Sequence, residues 1–249
     1  MTQSRFTFLQ RAGVVILFLA IAGGGYTGWR WMEQVTVQEI SMQGLVNATE
    51  DEVYELVRID TGMVMYDISS VLLEDRLRRH PWIESARVSR VPSGMLDIRI
   101  AERSPVALLM GANGMATTYM DRKGHRMPTT PRASYDVPLI TGDMGQYHPM
   151  RVIQDASTLE LLDSIAGLDS RTDGLISEFV RIDSGWELRL ASSGSHDSIP
   201  VWLGRDDFKD KFNYLQAFWD AEILRHQNKV YELVDLRFNS QIVVREHLR

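Results

Sequence analysis

From Ala12 to Trp29 the chain carries no charged residue, and Val14–Ala22 is an unbroken apolar run. As a helix these 18 residues rise roughly 27 Å at ~1.5 Å each, close to a hydrocarbon core of about 30 Å. Trp29 and Trp31 fall where an interfacial aromatic belt belongs. Arg5 and Arg11 precede the stretch with no acidic group beside them. The positive-inside rule then places the N-terminus in the cytoplasm and exports the remainder. The expected organisation is a cytoplasmic tail over 1–11 and a transmembrane helix over 12–31, with the bulk outside the bilayer. A cleaved signal peptide is the rival, since Ala20-Ile21-Ala22 fits an A-x-A site and Gly23–Gly25 weakens the second half of the span.

Two motifs in this stretch mislead. Gly23, Gly25 and Gly28 match G-x-G-x-x-G, but no strand precedes them, so a dinucleotide site is excluded by context. Gly24 and Gly28 match the G-x-x-x-G helix-pairing spacing, which small residues in membrane helices produce freely.

Beyond the anchor the composition is that of a globular protein, with 44% apolar and 24% charged residues over the chain. Arg30–Arg249 carries 25 basic against 33 acidic groups, a net of −8, so bulk charge offers nucleic acid no attraction. With no cysteine, disulfides, thiolate metal sites and Cys nucleophiles are excluded.

Val35–Ser41 alternates as a strand does. Thr49 and Glu52 are spaced as a capping box, and Val53, Leu56 and Val57 give the helix that follows an apolar stripe, ended by Asp60-Thr61-Gly62. A second helix is capped near Ser69 or Ser70, buries Leu72, Leu73 and Leu77, and stops at Pro81. Trp82–Val91 and Met95–Glu102 alternate around Pro92-Ser93-Gly94, a hairpin signal. Leu96, Ile98 and Ile100 share one face, and Asp97, Arg99 and Glu102 do not. Strand, helix, helix, strand, strand is an α+β unit.

The run Pro81-Trp82-Ile83, then Ala86-Arg87-Val88, Arg90, Pro92, Leu96, Ile98 and Glu102-Arg103-Ser104-Pro105-Val106-Ala107, resembles the POTRA domain of the FtsQ/DivIB bacterial division proteins. Ile40-Ser41-Met42-Gln43-Gly44-Leu45 fits the same pattern. One POTRA unit, here 35–104, directly behind one anchor favours that family over outer-membrane assembly proteins that carry such units.

The remaining 105–249 reads as a β-domain with two helices and a C-terminal antiparallel edge. Strands are expected at Val106–Met110, Thr117–Asp121 and Val137–Ile140, with 122–136 an extended loop. A helix is expected near Met150–Ala166, then strands at Ile176–Asp183, Trp186–Ala191 and Ile199–Leu203. A long helix from about Asp206 to Gln227 places Phe208, Phe212, Leu215, Trp219 and Ile223 on one core-facing stripe. Val230–Phe238 and Gln241–Glu246 form the last strand pair. Leu203-Gly204-Arg205 and Val234-Asp235-Leu236-Arg237-Phe238 resemble the matching family segments, whereas 111–175 does so weakly.

No catalytic or cofactor site emerges. Ser192, Ser193, Ser195, His196 and Asp197 assemble the residue types of a hydrolase triad, but consecutive residues on one turn cannot converge on one reacting atom. None of the six histidines pairs with another at i+3 or i+4, so metal catalysis lacks ligands. Arg76, Arg78, Arg79, Arg87, Arg90, Arg99 and Arg103 crowd the POTRA unit, as a solvated face or a surface for anionic lipid or an acidic partner.

The resemblance implies a non-enzymatic divisome scaffold, single-pass in a bacterial inner membrane with its bulk in the periplasm, and at mid-cell during division. It would bind the single-pass proteins FtsB and FtsL and link early division proteins to septal peptidoglycan synthesis. No cofactor, nucleic acid or small-molecule substrate is implied. The expected mechanism is β-augmentation on the open edge of the last strand pair. By position in the family pattern, Arg237, Phe238 and Ser240 match residues implicated in the FtsB contact. Phe238 stands where relatives commonly have Tyr, and Gln241 where a small residue is common. Phe238 serves equally well as core or as interface. A POTRA chaperone for exported polypeptides, and an exported enzyme with an unfamiliar site, are the competing functions.

Overall fold

The computed structural model describes residues 2–111, 113–190, 198–225, 229–238 and 241–248. An unbroken helix, α1 (Thr2–Met32), opens the chain and runs through Gly23–Gly25 without a break. Within it Gly13–Met32 is long and apolar enough to cross a membrane. Its large apolar side chains, Phe18 and Ile21 among them, are exposed. Thr27 returns its hydroxyl to the Gly23 and Gly24 carbonyls, both at 3.0 Å, and so supports the helix where glycine weakens it.

The chain divides into two compact units, the first ending at Arg78 and recruiting Ile83–Ala101, the second made of Arg79–Trp82 and Glu102–Arg249. The first contains β1 (Glu39–Gln43), α2 (Glu50–Val57), α3 (Ser70–Leu77), β2 (Ile83–Val91) and β3 (Met95–Glu102). The capping box forms as its residue types require: Glu52 N donates to Thr49 Oγ1 at 3.0 Å and Thr49 N to Glu52 Oε2 at 2.8 Å. Arg58, in the left-handed region at φ 51°, terminates α2 before the Asp60-Thr61-Gly62 stop. Ser69 caps α3, whose Leu73 and Leu77 are buried while Leu72 is exposed.

The sheet order is β1-β3-β2, with β1 parallel to the central β3. Leu96, Ile98 and Ile100 are buried on β3 as their alternation requires. Asp97, on the opposite face, is also buried, with Arg99 Nε at 2.9 Å. Gly44 follows β1 at φ +89°, where a Cβ would lie 1.9 Å from the Ile100 carbonyl oxygen.

The second unit is a nine-stranded mixed sheet. Its strands are β4 (Pro105–Met110), β5 (Ala116–Asp121), β6 (Arg126–Pro128), β7 (Leu139–Thr141), β8 (Ile176–Ile182), β9 (Gly185–Leu190), β10 (Pro200–Gly204), β11 (Lys229–Asp235) and β12 (Val243–Leu248). They lie in the order β12-β11-β10-β9-β8-β7-β4-β5-β6. Neighbouring parallel strands need a long crossover, usually helical. Here α4 (Ala156–Ile165), with the single turn α5 (Ser170–Asp173), connects parallel β7 and β8, and α6 (Phe208–Phe218) connects parallel β10 and β11. The expected stripe of Phe208, Phe212, Leu215, Trp219 and Ile223 is buried, with the Phe179 and Phe212 rings 6.0 Å apart.

Several boundaries depart from expectation for local reasons. The loop expected over 122–136 contains β6, because Gly124 at φ +79° and the Asp121 carboxylate, which accepts from Lys123 N and His125 N, close a tight turn. α4 begins at Ala156 and not near Met150, since Asp155 accepts from Thr158 N at 2.8 Å and fixes the start there. α6 loosens into a π-turn over Trp219–Ile223. β2 starts at Ile83: Trp82 belongs to the second unit, where Nε1 donates to Pro128 O at 3.0 Å and the ring meets Tyr119 and Tyr135.

Candidate partner-binding edge

The border of the large sheet is built from β11 and β12. They pair antiparallel, with Val234 opposite Val244 and Asp235 opposite Val243. β12 has β11 on one side and, among the described residues, no strand on the other. A strand in this position presents a row of backbone N–H and C=O groups to whatever comes alongside. Its side chains alternate: Ile242 and Val244 are half-buried against the core, while Val243 and Arg245 are exposed.

β11 ends at Asp235, three residues short of the expected Phe238, because Asp235 captures the following chain. Its carboxylate accepts from Arg237 N at 3.0 Å, from Nε at 2.9 Å and from Nη2 at 2.6 Å. The guanidinium also lies 4.4 Å from the Trp202 ring centroid on β10. Burial pushes the Asp235 carboxyl upward, but the Arg237 donations and charge prevail and hold it below its ordinary value. Asp235 in turn raises the Arg237 guanidinium. Arg237 is therefore the clamp of the turn leaving β11.

Phe238, next in line, is 47% exposed and Val243 is 45% exposed. Of the two roles open to Phe238, burial in the core is not the one it occupies. Ser240 lies outside the described residues, as does the Ser192–Asp197 cluster. Among the described residues, no group of three His, Asp or Glu side chains could hold a metal ion.

The basic positions of the POTRA segment are largely engaged nearby. Arg76 donates to Val57 O, Arg90 to Ile68 O while resting over the Tyr66 ring, and Arg78 pairs with Asp75. Arg103, in the second unit, meets the buried Asp121 at 3.0 Å. The clamping role of Asp235 and Trp202 was missed in the sequence. The Asp-x-Arg spacing after a strand was the available signal.

An apolar N-terminal helix long enough to cross a membrane, a βααββ unit and a mixed sheet with an open terminal strand define a POTRA-bearing protein. Residues 35–103 match the family model for the FtsQ-type POTRA domain, and 104–244 match the model described as FtsQ/DivIB, C-terminal related. The chain belongs to the FtsQ/DivIB family of cell division proteins. It is 40% identical to the cell division protein FtsQ of Rhodothermus marinus, over 92% of this chain and 83% of that one. It is 32% identical to FtsQ of Salinibacter ruber over 95% and 93%. FtsQ of Geotalea daltonii is 27% identical over 94% of this chain and 85% of its own. A role in the bacterial division machinery follows from this membership, and the family is one of non-catalytic scaffolds.

Proposed function

We propose that the chain is a single-pass inner-membrane scaffold that binds FtsB and FtsL in the periplasm and links early division proteins to septal peptidoglycan synthesis. Residues 1–11 form a cytoplasmic tail and 12–31 the span, uncleaved, followed by the POTRA domain over 35–104 and the β-domain over 105–249. The helix that continues through Gly23–Gly25 to Met32 supports an anchor over a cleaved leader. The arginines at positions 5 and 11, with no acidic residue before Glu33, support the cytoplasmic N-terminus.

The observation that carries the reading is the open border of β12 beside the exposed Phe238. A partner segment adds a strand there, its backbone completing the ladder and its side chains meeting Phe238, Val243 and Arg245 on the outer face. Truncation after Val230 removes β12 and the Arg237–Phe238 turn together. In a co-purification from membranes the truncated chain is expected to lose FtsB while the POTRA unit keeps its protease resistance. Undiminished FtsB recovery would remove the edge strand from consideration.

A further inference from the structure

Away from the β12 border, Arg126 on β6 is placed as few arginines are. It is 6% exposed, yet no carboxylate among the described residues lies within ion-pairing distance of it. Its Nη1 donates to Gly145 O at 3.0 Å and its Nη2 to Gln146 O, and the Tyr147 ring centroid lies 5.5 Å away. A guanidinium has five N–H donors. Two are used here, and Nε is buried with no partner. A buried charge without a counter-charge is unfavourable unless something compensates it, and two carbonyl dipoles do so only in part. Burial accordingly lowers the Arg126 pKa, an effect that a neighbouring anion reverses.

Two cavities adjoin this side chain, and Arg126, Asp143 and Met144 line both. One, of about 300 Å³, also has Arg151, Asp155 and Arg181 in its walls. The other, of about 510 Å³, is walled mainly by Leu109, Met110, Met144 and Tyr147. Both volumes fall in the ordinary range for small-molecule sites. Arg181 is committed to Asp155 at 2.7 Å, and Asp143 turns a carboxylate oxygen to Gly145 N at 2.8 Å. Three guanidiniums against two carboxylates leave one uncompensated positive charge, with an apolar chamber next to it.

We propose that this pair of cavities binds a small carboxylate monoanion with an apolar body, the carboxylate facing Arg126 and Arg151 and the body in the Leu109–Met144 chamber. A single negative charge balances the site, whereas a phosphate dianion overshoots it. The carboxylate meets charge-assisted donors that the protein leaves unspent.

The test uses the full chain in lipid nanodiscs, with N-acetylleucine as probe and saturation-transfer NMR as readout, empty discs serving as blank. Saturable binding is expected, at least about tenfold tighter than for the neutral N-acetylleucinamide, and tighter than for inorganic phosphate. Arg151→Glu, at an exposed rim position whose side chain makes no hydrogen bond or ion pair among the described residues, reverses the local balance and should weaken binding about tenfold or more without altering the fold. Arg126→Met should do the same, and if that variant does not fold, Arg151→Glu decides alone. Absence of saturation, equal binding of the amide, tighter binding of phosphate, or indifference to Arg151→Glu would each overturn the proposal.

Discussion

Replacing Arg237 by alanine separates the clamp from the proposed partner surface beside it. The substitution leaves the backbone donation to Asp235 but strips both side-chain donations from a carboxylate whose side chain is only 8% exposed. Removing one member of a fully buried pair is destabilising by about 3–5 kcal/mol. The Arg237 side chain is 34% exposed, so water screens the pair and can reach the carboxylate once the guanidinium is gone. About 2 kcal/mol remains after that discount. The lost contact with the Trp202 ring lies inside this figure, because one guanidinium makes both interactions. At about 1.4 kcal/mol per tenfold, amide exchange at the junction of β10 and β11 should accelerate roughly 30-fold. The amide of Leu236, which donates to Trp202 O at 2.9 Å, is the reporter, followed by hydrogen-exchange mass spectrometry on the full chain in nanodiscs. Phe238→Ala is the counterpart. With 47% of its surface already exposed, its removal should change the same exchange by about fivefold or less while reducing FtsB capture at least tenfold. Exchange within twofold of the parent in Arg237→Ala would refute the clamp.

Other perturbations address each unit separately. Gly44→Ala should unfold the β1–β3 region, since the added Cβ meets the Ile100 carbonyl at 1.9 Å and φ is +89°; loss of amide protection in β3 measures it. Thr49→Ala should lower the stability of the POTRA unit by about 1 kcal/mol through the broken capping box, read from proteolysis rates in urea. Asp155 is held well below the usual carboxylate range by Arg181 first, against burial, with Thr158 adding its hydroxyl and N–H. Its folded pKa is depressed, so its contribution is full above the unfolded value of about 3.9 and declines as pH falls towards the folded one. Asp155→Asn should therefore lag the parent in Tm at pH 6, with a gap that narrows steadily below pH 4.

What could be seen in the sequence follows from how short-range the responsible physics is. The capping box, the Ser69 cap and the hairpin at Pro92-Ser93-Gly94 are decided within four residues, and each forms as expected. The stripe that runs along α6 into its π-turn is likewise a local period, and all five of its residues are buried. The boundaries that differ are just as local, but they are fixed by side-chain captures that belong to no regular period. Asp121 folding back on His125 creates β6, and Asp235 taking Arg237 ends β11 early. Asp97 alternates as an exposed position should, yet it is buried. Alternation records the faces of a strand without recording what covers each face. Arg126 was invisible for the same reason: nothing in Arg126-Met127-Pro128 distinguishes a buried guanidinium from a solvated one.

The open border is a different case, because topology determines it. β10 already has β9 on one side, paired antiparallel. The α6 crossover must return its following strand parallel, and the only vacant neighbour of β10 is the side away from β9, which β11 takes. A short connection from β11 then leaves β12 a single place, outermost and antiparallel. The two crossover helices, α4 and α6, pack against each other, so the layout they impose is held by the core of the whole sheet. A change within that core, such as Leu215→Ala on α6, should therefore disturb the border from a distance, reducing β12 amide protection and FtsB capture together although Leu215 is wholly buried. Loss of capture with β12 protection unchanged would place the partner surface on α6 itself and not on the strand it positions.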